Sequence, residues 1–116
     1  MVKRYIVIGD DGTEIGIFHI LDLLEEQDMT PGDNGDLEWA ERKFNYDLKI
    51  PSYPKDTETE AWFTDKGVSV FEEALDILDI LVGEYLSDFG YYFYELTHEP
   101  KNKIMYSDEY QVVYYK

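Results

Sequence analysis

The chain has 116 residues, and its 26 Asp plus Glu against 10 Lys plus Arg leave a net charge of −16 and a pI of about 4.2. That length suits one domain, and the acidity argues against direct contact with nucleic acid or an anionic membrane, both of which need clustered Lys and Arg. The apolar fraction of 44% and aromatic fraction of 16% can supply a core, whereas disorder pairs high charge with few aromatics.

Arg4 to Ile8 reads as a strand, because Tyr5, Ile6, Val7 and Ile8 are all good strand formers. Gly9-Asp10-Asp11-Gly12 is turn chemistry, and Glu14 to Phe18 reads as a second strand, so the chain opens on a predicted hairpin. Ile20 to Glu26 is a short helix with Ile20, Leu23 and Leu24 on one face and Asp22, Glu25 and Glu26 on the other. Met29 to Asp36, with Pro31, Gly32, Asn34 and Gly35, reads as a loop. Leu37 to Tyr46 follows as a second short helix that buries Leu37, Ala40 and Phe44. Lys49 to Glu60, with Pro51 and Pro54, reads as an extended connector, and Ala61-Trp62-Phe63 as a brief strand.

The clearest element runs from an N-cap at Thr64 to about Leu86. Phe71, Ala74, Leu75, Leu78, Leu81, Val82 and Tyr85 recur at helical spacing and form its core stripe. Ile77 and Ile80 sit beside the acids of the helix and away from the centre of this stripe; they read as buried on a second side of the helix, the alternative being two isoleucines that flank the acids on a contact surface. Ser87-Asp88-Phe89-Gly90 ends the helix. Tyr91 to Thr97, Lys103 to Tyr106 and Tyr110 to Tyr115 read as three closing strands. The predicted fold is a single α+β domain: an antiparallel sheet of about five strands packed on one long helix plus two short helices.

The acids are unevenly placed. Between Arg4 and Arg42 lie 11 acids and no base, and between Lys66 and Lys101 lie 8 acids and no base. On the long helix Glu72, Asp76 and Asp79 sit at i, i+4 and i+7 and share a face, at a cost of a few tenths of a kcal/mol per like-charge pair. Their axial separations, roughly 6 Å and 4.5 Å at the helical rise, compare with roughly 3.4 Å per phosphate along one DNA strand. A second acidic surface beside this one would approach duplex density. A solvated face kept acidic for solubility is the competing reading.

Tyrosine is the other anomaly. Seven of the 11 tyrosines lie in the last 26 residues. Strand alternation puts Tyr92 and Tyr94 on one face and Tyr91 and Phe93 on the other. A helical layer covers only one face of a sheet, so the second face presents tyrosines, a residue enriched at interfaces; β-propensity with partial burial is the competing reading.

Catalytic and metal signals are weak. The two histidines, His19 and His98, have no Cys neighbours and do not form a helical pair. Asp88 with Glu99-Pro100-Lys101 imitates a metal-nuclease spacing, but Pro100 interrupts its strand and the net charge repels DNA. Set with Gly35 at the sixth position, a calcium loop would have Thr30 and Gly32 where acids belong. No cofactor, metal or catalytic residue is expected. The absence of cysteine, of a secretory apolar run and of a membrane-length span fits a cytoplasmic protein.

The functional expectation is a small acidic protein-binding inhibitor. It would act as a DNA mimic of the anti-restriction, anti-CRISPR or nuclease-immunity kind and cover the basic face of a nuclease or DNA-binding protein. Its expected contacts are Glu72, Asp76 and Asp79, a second cluster of Asp22, Glu25 and Glu26, and Tyr92 and Tyr94 as anchors. The alternative is an accessory or structural protein that forms a homodimer or larger assembly through its Tyr-rich sheet, with charge serving solubility only.

Overall fold

The computed structural model describes residues 2–49 and 57–116, so Pro51 and Pro54 of the predicted connector lie outside the described residues. In chain order the elements are β1 (Arg4–Ile8), β2 (Glu14–Gly16), α1 (Ile17–Glu25), α2 (Pro31–Asp47), β3 (Thr59–Phe63) and α3 (Asp65–Tyr85). A 3-10 turn at Ser87–Phe89 then leads into β4 (Tyr92–Leu96), β5 (Ile104–Ser107) and β6 (Gln111–Tyr115).

The predicted single sheet is replaced by two. One antiparallel sheet has the order β2-β1-β4 and the other β3-β6-β5. They meet at an isolated bridge between Lys3 and Phe63, whose two backbone hydrogen bonds are 2.9 and 2.6 Å long. The three closing strands therefore do not form one meander. Only β5 and β6 make a hairpin, while β4 crosses to β1 and pairs Ile6 with Tyr94 and Val7 with Phe93. Sequential strands usually pair with each other, and here the stretch around Pro100 diverts the chain between sheets.

The second correction concerns α2. The predicted loop at 29–36 is largely the first turns of a 17-residue helix, so the two helices before α3 are not both short. Thr30 caps it, its hydroxyl accepting the Asp33 amide proton at 3.2 Å, and Pro31 occupies the first turn, where no amide donor is needed. Gly32 and Gly35 each cost about 1 kcal/mol of helix propensity. The start signal and the packing of α2 on α3 override that cost. α1 likewise begins earlier than predicted, at Ile17, which shortens β2 to three residues.

The long helix matches its prediction closely. Thr64 accepts the Gly67 amide proton at 3.0 Å. Phe71, Ala74, Leu75, Leu78, Leu81 and Val82 are buried, with Tyr85 half-buried against the core. Ile77 packs against the core, but Ile80 is 60% exposed, so the expected burial of both isoleucines is wrong for Ile80. The main core joins the helices to the inner face of the first sheet through Tyr5 and Val7, with Phe93 packed against them. A smaller cluster of Val2, Trp62 and Tyr114 closes the other face of the second sheet, where His98 meets the Trp62 ring edge-on with centroids 4.9 Å apart.

Candidate functional site

The alternation along β4 decides which residues can act together. Phe93 and Glu95 point toward α3, while Tyr92 and Tyr94 point away, 54% and 46% exposed. Between α3 and the first sheet lies a groove of about 360 Å³. Glu72, Asp76 and Asp79 line one wall and Glu95 the other, with Val68, Leu75 and Phe93 supplying an apolar lining. Lys3 reaches across to Glu95, Nζ to Oε1 at 3.1 Å. The three acids of the helical stripe thus share one surface, and Glu95 faces them from the neighbouring strand.

Tyr5 contributes its phenol to this groove. Its ring stacks on Phe93 with centroids 5.9 Å apart. Burial, and then the charges of Glu95, Asp76 and Glu72, push the phenol up to about 12. It therefore stays a neutral hydrogen-bond donor across the physiological range. Carboxylate walls beside aliphatic and aromatic side chains match the two halves of a Lys or Arg side chain, an apolar stem and a cationic head.

The second expected cluster lies elsewhere. Asp22, Glu25 and Glu26 are exposed on or at the end of α1, and none of them lines the groove. Glu25 meets Glu41 of α2 instead. Partial burial, the hydrogen bond to Glu25, and the charges of Glu25, Asp22 and Glu38 together push the Glu41 carboxyl up to about 7. A similar meeting occurs between α2 and α3. Tyr85 donates its hydroxyl proton to Asp33, which lowers the Asp33 pKa, while hydrogen bonding to Asp33 and its charge raise that of Glu84.

Glu41 gives a pH prediction. Its folded pKa lies above the unfolded value, so the folded state holds the extra proton. The stabilisation is present below about pH 4.5 and is lost as pH rises through about 7. Glu41→Gln should therefore stabilise the protein at pH 8 by on the order of 1 kcal/mol after screening by solvent, with little effect at pH 4.5. Urea unfolding at the two pH values measures this, and equal effects at both would contradict the shared proton.

Sequence reasoning found the α3 row and missed Tyr5, Lys3 and Glu95, which join it only when β4 pairs with β1. It also missed Glu41, whose partner Glu25 lies on another helix. Trp39 and Tyr46, 42% and 84% exposed on α2, are further aromatics that periodicity alone did not single out. Among the described residues, no group of three or more His, Cys, Asp or Glu is placed to hold a metal ion. No helix there is long and apolar enough to cross a membrane. No protein-family model, curated protein or solved structure matches the chain.

Proposed function

We propose that the chain is a binding inhibitor whose acidic α3 face occupies the basic, nucleic-acid-binding surface of a nuclease or other DNA-handling protein. The observation that carries this reading is the crowding of like charges. Glu72, Asp76 and Asp79 of α3 line one wall of the groove and Glu95 the other, so four carboxylates surround it with Lys3 as the one base among its described lining residues. A surface selected for solubility alone gains nothing from such crowding, because dispersed charges serve as well without the repulsion. Local rules broken at a stability cost mark a surface kept for another purpose. The groove receives Lys or Arg side chains of the partner, and the row of Glu72, Asp76 and Asp79 stands in for phosphates.

The test is competitive capture. The immobilised chain is exposed to a lysate of its source cells at low salt and eluted with a salt gradient. A nuclease or DNA-binding protein should elute, and duplex DNA should compete for it. Glu72→Gln, Asp76→Asn and Asp79→Asn together should weaken its capture by about tenfold or more, since each charge-assisted contact contributes roughly 1 kcal/mol. A captured protein that still binds and cuts DNA normally when saturated with the chain would refute the proposal.

A second reading has its own support. β4 is an edge strand of its sheet and presents Tyr92 and Tyr94 to solvent, a template for pairing with another copy. The two readings differ in the sign of their salt dependence. Self-association of chains with a net charge of −16 strengthens as salt screens their repulsion, whereas binding to a basic partner weakens. Sedimentation at two ionic strengths separates them.

A further inference from the structure

A second, larger cavity is chemically unlike the acidic groove. It encloses about 590 Å³ where the two sheets meet beneath the start of α1, within the usual size range of small-molecule sites. Ile17, Phe18, Leu48 and Phe63 make its lining largely apolar and aromatic. Its charge runs against that of the whole molecule. Arg4, Lys49 and Lys116 all line it, together with His19, and Glu14 is the one acid among the described lining residues. Three of the chain's ten Lys and Arg residues thus converge on one cavity of a protein whose surface is otherwise acidic.

Arg4 is the best-defined of these groups. One guanidinium nitrogen, Nη1, donates to the Ala61 carbonyl at 3.1 Å. Nε is buried and has no acceptor among the described residues. A buried donor without a partner costs roughly 1–3 kcal/mol, and such groups are rare enough to need a reason. The edge left over, Nε with Nη2, is the side of the guanidinium that pairs with both oxygens of a carboxylate. Burial lowers the proton affinity of Arg4 more than Glu60 and Glu14 raise it, so its charge is not fully compensated within the protein. Trp62 Nε1, the other buried side-chain nitrogen without a partner among the described residues, belongs to another lining residue.

We propose that this cavity binds a small amphipathic carboxylate, its head paired with Arg4 beneath Lys49 and Lys116 and its apolar body against Phe18, Leu48 and Phe63. The site is independent of the acidic groove, since apart from Tyr5 the two share no lining residue.

The probe pair is 2-naphthoate and the neutral 2-naphthylmethanol, which share an aromatic body and differ in the head group. Binding is read by NMR shifts of the Ile17, Phe18 and Leu48 amides. Naphthoate should bind at least about tenfold more tightly than the alcohol, roughly what one charge-assisted pair supplies, despite the net charge of the chain. Arg4→Gln should cut that preference by about tenfold and leave alcohol binding unchanged. Lys49→Gln with Lys116→Gln alters two exposed side chains, where substitutions usually change stability little. It should narrow the preference several-fold even if the Arg4 variant fails to fold. Equal or tighter binding of the alcohol, shifts that map outside the cavity, or a preference untouched by the double lysine variant would each overturn the proposal.

Discussion

Phe71→Ala is expected to cost about 3–5 kcal/mol of folding stability, the usual range for emptying a fully buried aromatic site. Phe71 has no exposed surface. Its ring stacks on Phe44 at 5.3 Å and 16°, leans on Phe63 at 5.6 Å, and meets Tyr110 edge-on at 5.9 Å and 87°. Those partners come from α2, from β3 and from the turn before β6, so one side chain ties three separate segments to α3. Each aromatic pair adds roughly 0.5–1.5 kcal/mol beyond the area buried. Against a total stability of about 5–15 kcal/mol for a domain, the loss leaves much of the population unfolded at moderate temperature. Phe89→Ala is the control, since Phe89 is 61% exposed and should change stability by less than about 0.5 kcal/mol. Urea unfolding followed by far-UV circular dichroism compares them. A Phe71→Ala cost below about 1 kcal/mol would mean that the cluster does not hold these segments together.

The features that depend on one residue type or one period were legible in the sequence. The seven-residue core stripe of α3 follows from spacing alone, and its Thr64 cap from a residue preference. The strands at both ends of the chain follow from their β-branched and aromatic runs. Partnering was not legible. β4, β5 and β6 read as one continuous meander because turn residues separate each from the next, and nothing local says that β4 pairs with β1. The first turns of α2 were hidden by Gly32 and Gly35, whose loop signal is real as propensity but is outweighed by the Thr30 cap and by Asp33 meeting Tyr85 of α3. The candidate site divides in the same way. Glu72, Asp76 and Asp79 were visible as a helical row, while Glu95 joins them only through strand pairing. Alternation within β4 also separates Tyr92 and Tyr94 from that row, so on this fold the tyrosines and the groove acids cannot bind the same flat surface.

The same substitution at two glycines of α3 is expected to have opposite signs. At Gly83 a Cβ meets nothing within 4 Å, so Gly83→Ala should stabilise the helix by roughly 0.5–1 kcal/mol by restricting the unfolded chain. At Gly67 a Cβ would lie 2.0 Å from the Tyr110 carbonyl oxygen and 2.9 Å from its carbon. Both are backbone atoms, held where they are by local bonds. The Thr64 amide donates to the Tyr110 carbonyl at 3.0 Å, and the Thr64 hydroxyl donates to the Glu109 carbonyl at 2.6 Å. Asp108 fixes the turn itself by accepting the Tyr110 and Gln111 amide protons at 2.8 and 3.0 Å. The methyl group can be accommodated only if the first turn of α3 withdraws from this turn, which loses hydrogen bonds of about 1 kcal/mol each and adds strain of about 1–3 kcal/mol. Those losses outweigh the helix-propensity gain, so Gly67→Ala should destabilise by roughly 2–4 kcal/mol. Thermal unfolding of the two variants side by side gives the comparison, and a Gly67→Ala protein as stable as the parent would show that α3 is not seated on the turn in this way. The seat also bears on the groove. Val68 and Glu72 lie within two turns of Gly67 and line its wall, so withdrawal of the helix start moves Glu72 relative to Glu95. If the groove receives cationic side chains, Gly67→Ala should weaken partner binding even under conditions where the variant remains folded, and Gly83→Ala should leave it intact.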